Sequence, residues 1–241
     1  MLRCDLNCDL GEGMGNDHLI LPYITSANIA CGYHAGNADI MKRLVDQCMA
    51  YNISIGAHPS YLDKENFGRK DMMYNNLMPQ DVPKLLIAQL EILNTICKNA
   101  GAKLKHVKPH GALYNRAASD AVVAGFICAA IIDYDPTLIL YGLSNSEMRK
   151  KGEDYGVVFM NEVFADRTYQ DDGSLTPRSV EGALINDKEE CIRQVLQMVD
   201  QKCVTSISGK VIPVIADTIC VHGDGEHAVA FAEAINRELR M

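Results

Sequence analysis

The chain has 241 residues, 48% of them hydrophobic and 22% charged, a composition that excludes a disordered or low-complexity protein and fits one folded domain. Its net charge of −8, with 23 Lys and Arg against 31 Asp and Glu and no cationic run, excludes an extended nucleic-acid surface while leaving room for a small anionic ligand. No stretch of about 18 apolar residues is present to span a membrane, and the opening Met1-Leu2-Arg3-Cys4-Asp5 is too polar for a signal peptide, so a cytoplasmic location is expected.

The first expected element is a strand at Arg3–Asn7, followed by the turn Asp9-Leu10-Gly11-Glu12-Gly13-Met14-Gly15. The turn looks like a phosphate-cradling glycine loop, but it lacks the Lys-Ser/Thr ending, and Asp9 and Glu12 would repel a phosphate unless a cation intervened. A second strand, Thr25–Ala30, runs into a segment dense in small and polar residues, Ser26 to Asn37, which includes Asn28, Cys31 and His34 and stands just before a helix. That helix shows apolar residues at Met41, Leu44, Val45 and Cys48, the spacing of one buried face.

A third strand at Ile53–Ala57 ends in His58-Pro59-Ser60-Tyr61, and Pro79 and Pro83 then open a helix whose apolar face is Leu86, Leu90, Leu93 and Cys97 and whose stop is Gly101. The fourth strand, Leu104–Lys108, is followed by Pro109-His110-Gly111; proline stiffens both of these polar loops, as rigid placement of a catalytic group requires. Strands at Thr137–Tyr141 and Val157–Asn161 follow, the latter leading to Glu162-Val163-Phe164-Ala165-Asp166-Arg167. A last strand, Val211–Val221, contains a break and is followed by His222; Asp224 or Gly225 then begins a final helix with its apolar face at Ala228, Phe231, Ile235 and Leu239.

Seven β/α units in 241 residues, without a composition break, give a single domain of 1–241. An open doubly wound sheet would gather its polar motifs at one switch point, whereas here they follow nearly every strand. The expected architecture is therefore a closed seven-stranded parallel β/α barrel, whose strand ends surround one pocket. Because side chains two apart on a strand share a face, the inward sets are Asn7 and Asp9, Gly56 and His58, His106 with Lys108 and His110, Met160 and Glu162, and Cys220 and His222. Nine cysteines occur with no C-x-x-C pair, the pattern of small core residues in a reducing compartment; Cys31 and Cys220 stand apart because they lie within polar motifs.

The stretches DLNCDLGEGMG, TSANIACGYHAGN, IGAHPSY, HVKPHGALYN, EVFADRTYQDDGSL and TICVHGD closely resemble the LamB/YcsF family of bacterial 5-oxoprolinase A subunits, nearly end to end. The resemblance implies a seven-stranded barrel related to glycoside hydrolase/deacetylase folds. It also implies ring opening of 5-oxoproline to L-glutamate at the expense of ATP, with Mg2+ accompanying the ATP, and with 5-oxoprolinase subunits B and C as partners. Met14, Tyr33, Asn37 and Leu62 depart from the family pattern of Phe, Phe, Asp and Pro, and Asn37 changes the charge of its loop.

Asp9, His34, His58, His110, Glu162 and His222 are the candidates for acid and base work, and Asn7, Glu12, Asn28, Lys108, Asp166 and Arg167 for holding substrate or a developing oxyanion. Three readings stand at this point. The first is the ATP-coupled lactam hydrolase. The second is a metal-dependent deacetylase or other amidohydrolase, for which Asp9, His58, His110 and His222 are suitable ligand types. Against it, H-E-x-x-H is absent, and His106 and His110, placed along one strand, are expected about 13 Å apart, too far for one ion. The third is a non-catalytic subunit that only holds a ligand.

Overall fold

The computed structural model describes residues 3–225 and 227–240. Strands β1 (Asp5–Leu10), β2 (Ser26–Ala30), β3 (Ser54–His58), β4 (Leu104–Val107), β5 (Ile139–Leu143) and β6 (Phe159–Phe164) pair in sequence. After the short β7 (Cys203–Thr205) and β8 (Val211–Pro213), strand β9 (Thr218–His222) pairs in parallel with both β6 and β1 and closes a seven-stranded barrel.

The helices are α1 (Asp17–Ile20), α2 (Ala38–Tyr51), α3 (Val82–Ala100), α4 (Gly111–Ser119), α5 (Ala121–Tyr134), α6 (Glu147–Tyr155), α7 (Lys188–Asp200) and α8 (Ala228–Arg240). The apolar faces expected on α2, α3 and α8 are all buried, and each fully buried Leu of such a face stabilises the fold by roughly 1.5–3 kcal/mol. Gly101 ends α3 in the left-handed conformation at φ 75°, and Asn37 caps α2 by accepting a hydrogen bond from the Ile40 backbone N–H at 3.0 Å. Among the described residues no single helix is long and apolar enough to cross a membrane.

Strands β1, β5 and β6 run two or three residues further toward the C-terminus than the apolar runs suggest. The reason is the barrel interior, which is polar: Asn7, Asn28, His106, Glu162 and Thr218 are fully buried inside it, so polarity does not mark where these strands end. Their outward residues, such as Leu6, Cys8, Ala27, Ile29, Ala57 and Val163, are fully buried under the helices. The expected break in the last strand is real, because Val211–Pro213 pairs antiparallel with Cys203–Thr205 in a separate hairpin, and only Thr218–His222 joins the barrel. Helix α8 starts at Ala228 rather than at Asp224 or Gly225; the Asp224 carboxylate is instead engaged by Arg69 at 2.6 Å and Arg178 at 3.6 Å.

Candidate active site

At the C-terminal end of the strands a cavity of about 590 Å3 opens, lined by Asp9, Glu12, His58, Lys108, His110, Arg167 and His222 together with residues from loops after β5 and β6. Parity along the strands brings Asp9, His58, Lys108 and His222 to one face, as expected for a parallel barrel. The glycine turn after β1 serves geometry: Gly11, Gly13 and Gly15 have φ of 79°, 90° and 77°, and the chain bends there to carry Glu12 back over the barrel mouth.

Lys108 forms the floor. Its ammonium lies 2.9 Å from Asp9 Oδ1, 2.8 Å from Glu162 Oε1 and 3.0 Å from Cys220 Sγ. Burial alone would discharge the amine, but Asp9, Cys220 and Glu162 outweigh it and hold the Lys108 pKa well above its ordinary value. Burial also opposes ionisation of Asp9, yet His58 and Lys108 together keep its carboxyl well below the usual range. Glu162 donates nothing to the cavity surface. Fully buried, it accepts from Asn7 Nδ2 at 3.0 Å and Tyr114 Oη at 2.7 Å besides Lys108.

Asn7 and Asn28 lie a layer below the cavity. Asn28 Nδ2 donates to Asn7 Oδ1 at 2.7 Å and to Asp9 Oδ1 at 2.8 Å, and Asn28 Oδ1 accepts from His106 Nε2 at 2.8 Å. These residues hold Asp9 and do not line the cavity. Burial lowers the His106 pKa to about 3, so its ring is neutral, stacked on Tyr141 with centroids 4.1 Å apart.

Beside this floor stands a cluster of three imidazoles around one carboxylate. Glu12 Oε1 is 3.0 Å from His34 Nε2, 3.1 Å from His110 Nδ1 and 3.7 Å from His58 Nε2. His34 and His110 stack with centroids 3.8 Å apart, and burial lowers the His34 pKa to about 4 and also depresses that of His110. For His58, burial acts in the same direction but Asp9 and Glu12 outweigh it, and the pKa rises. Glu12, His34, His58 and His110 are compatible with a divalent cation. The separation along one strand that argued against a metal concerned the wrong pair: β4 ends at Val107, His106 points into the barrel interior, and His110 meets His34, from after β2, and His58, at the end of β3, instead.

On the opposite wall, His222 Nδ1 is 2.9 Å from Asp166 Oδ1, and the His222 backbone N–H donates to Asp166 Oδ2 at 3.1 Å. Asp166 does not line the cavity, whereas His222 does, so the carboxylate orients the ring and leaves Nε2 for the cavity. Arg167 lines the same wall and donates to the Thr176 carbonyl at 2.6 Å; burial, followed by Arg178, lowers its pKa. Cys31 is a buried thiol donating to the Ile29 carbonyl, and Cys220 is buried with its pKa pushed well above the ordinary value by burial.

Several lining residues were not singled out from sequence. Tyr114 stands one helical turn after His110, a spacing that marks it as a neighbour of the same site. Ser144, Asn145 and Ser146 follow β5 and would have been found by applying the strand-end rule to that strand. Arg69 and Arg178 come from long irregular loops, where no periodicity exists to place them.

The sequence model of the LamB/YcsF family matches residues 4–241. A protein of Bacillus cereus named as the A subunit of 5-oxoprolinase is 49% identical over 100% of this chain and 96% of its own length, and one of Bacillus thuringiensis with the same name is 48% identical over 98% and 95%. The crystal structure of the lactam utilization protein from Thermus thermophilus superposes with a TM-score of 0.90 at 36% identity, covering 99% of this chain and 96% of that one. A putative cellobiose-phosphate cleavage protein from Enterococcus faecalis, at 14% identity and a TM-score of 0.58 over 98% of this chain and 92% of its own, shares the fold. By the family match and these full-length similarities, the chain belongs to the LamB/YcsF family.

Proposed function

We propose that this chain opens a cyclic amide: working in an assembly with 5-oxoprolinase subunits B and C, it hydrolyses 5-oxo-L-proline to L-glutamate. The observation that carries this reading is the Asp166–His222 pair, whose ring shares one cavity with the Lys108 ammonium and Arg167. The full-length relatives named as 5-oxoprolinase A subunits, and the lactam utilization protein of the same fold, support the choice of substrate.

Hydrolysis forms a bond from a water oxygen to the ring carbonyl carbon and breaks the C–N bond, and the departing nitrogen takes a proton. His222, oriented by Asp166, accepts the proton of the attacking water and returns it to that nitrogen. Lys108 stands where the carbonyl oxygen gains negative charge, and Arg167 pairs with the substrate carboxylate. Asp9 and Glu162 hold Lys108 charged and fixed. A lactam is a resonance-stabilised amide, and ATP with Mg2+ supplies the free energy to open it. The nucleotide is assigned to the assembly, because the glycine turn carries the carboxylate of Glu12 and offers no phosphate cradle.

A second reading, a metal-dependent amidohydrolase, is favoured by the cluster of Glu12, His34, His58 and His110. Glutamate formation from 5-oxoproline by the chain combined with its own B and C subunits separates the two. The proposal expects turnover that needs both ATP and this chain. ATP-independent cleavage by this chain alone would move the assignment to the second reading, and glutamate formed by B and C without it would reduce the chain to a ligand-holding component.

A further inference from the structure

Two histidines of the cluster are oriented by backbone carbonyls in a way that sets their remaining ring nitrogens against each other. His58 Nδ1 lies 2.7 Å from the Lys108 carbonyl oxygen, and His110 Nε2 lies 2.9 Å from the Phe67 carbonyl oxygen. A carbonyl only accepts, so each of these nitrogens carries its hydrogen. In a neutral imidazole the other nitrogen then presents a lone pair. Those other nitrogens, His58 Nε2 and His110 Nδ1, face each other at 2.9 Å, and two lone pairs at that distance repel unless a proton or a metal ion stands between them.

We infer that Glu12, His34, His58 and His110 form a site for one divalent transition-metal ion of the zinc type. Around a tetrahedral ion with ligands at about 2.0–2.1 Å, neighbouring ligand atoms stand roughly 3.3 Å apart. The cluster shows 3.0 Å from Glu12 Oε1 to His34 Nε2, 3.1 Å to His110 Nδ1 and 3.7 Å to His58 Nε2, and 2.9 Å between His58 Nε2 and His110 Nδ1. The backbone carbonyls behind His58 and His110 are the outer partners that ligating histidines ordinarily have, fixing tautomer and ring plane. Three imidazole nitrogens and one carboxylate select a borderline transition metal over Mg2+ or Ca2+, which take oxygen.

Charge agrees with this assignment. Asp9 Oδ2 is 3.4 Å from His58 Nε2, so the carboxylates of Glu12 and Asp9 together balance a dication. The neighbouring group of Asp9, Cys220 and His222 also has ligand spacing, but the Lys108 ammonium already stands 2.9 Å from Asp9 and 3.0 Å from Cys220 and takes the place of an ion there. Glu12, His58 and His110 line the cavity, so the ion would stand at its wall.

Metal binding is read without reference to turnover, so this inference and the lactam reading fail separately. The purified full-length chain is stripped with a chelator, loaded with Zn2+ or Co2+, desalted and analysed for metal content. The expected result is one ion per chain, an intense visible spectrum of tetrahedral Co2+, and a higher thermal midpoint than the stripped chain. His58→Ala and His110→Ala should each weaken binding by about 100-fold or more, beyond the 10- to 100-fold typical for loss of an outer partner, while His222→Ala keeps it. Circular dichroism checks that each variant folds. The wild-type result stands on its own if one does not. Uptake no greater than a buffer blank, or loss in His222→Ala with retention in both other variants, overturns the site.

Discussion

Gly56 lies against the His106 ring so closely that a Cβ on residue 56 would stand 2.0 Å from His106 Nε2. The ring has no room to retreat, since it stacks on Tyr141 at 4.1 Å and Nε2 donates to Asn28 at 2.8 Å. Gly56→Ala is therefore expected to destabilise the fold by about 3 kcal/mol, the upper end for an overpacked core. Adding His106→Ala should recover part of the loss, because the two positions are coupled. Thermal and urea midpoints of the single and double variants check this; an unchanged Gly56→Ala midpoint would mean that the ring moves aside freely.

The same pair shows what was legible in the sequence. Period-two parity correctly sent Gly56, His58, His106 and Lys108 inward, and helical spacing found the buried faces of α2, α3 and α8, because both signals are local. The meeting of His34, His58 and His110 around Glu12 was not legible, since it depends on how far each loop carries its side chain past a different strand. Strand ends were misplaced for a related reason. A barrel interior filled with Asn, His and Glu breaks the link between polarity and exposure on which such boundaries rest.

Asn37 occupies the N-cap of α2, where Oδ1 accepts the Ile40 N–H. An Asn cap does the same work as the Asp of the family pattern, so Asn37→Asp should leave stability within a few tenths of a kcal/mol, while Asn37→Ala costs about 1 kcal/mol. Chemical denaturation of the three chains measures both differences. Equal loss in the two variants would show that the amide is needed for something other than capping.

Lys108 is buried between Asp9 and Glu162. Removing it as Lys108→Met takes away the ammonium that Asp9 and Glu162 share and is expected to cost roughly 3–5 kcal/mol. Glu162→Gln added to that background should restore part of the stability, since the amide still accepts from Asn7 or Tyr114 without a charge. Urea unfolding of the single and double variants provides the check. A double variant less stable than Lys108→Met would show that hydrogen bonding to Glu162 outweighs its charge.

Asp166 is expected to act through His222. It touches that ring and its backbone N–H but not the cavity, so Asp166→Asn should lower kcat by about 100-fold or more while KM changes little. A rise in KM with kcat preserved would instead make Asp166 a substrate contact. The same carboxylate predicts a pH signature. Burial opposes its ionisation, but His222, and after it Arg167, hold the pKa below the ordinary 3.8; the other titratable groups affected by it are the buried thiols of Cys191 and Cys220, whose pKa values are raised. A carboxyl with a folded pKa below its unfolded one stabilises the fold fully above the unfolded value and loses that contribution as pH falls through the folded value. The stability gap between wild type and Asp166→Asn should therefore shrink as the pH falls below about pH 4. Urea midpoints from about pH 5 down to about pH 2 test it, and a gap that still widens below about pH 4 would contradict the lowered Asp166 pKa.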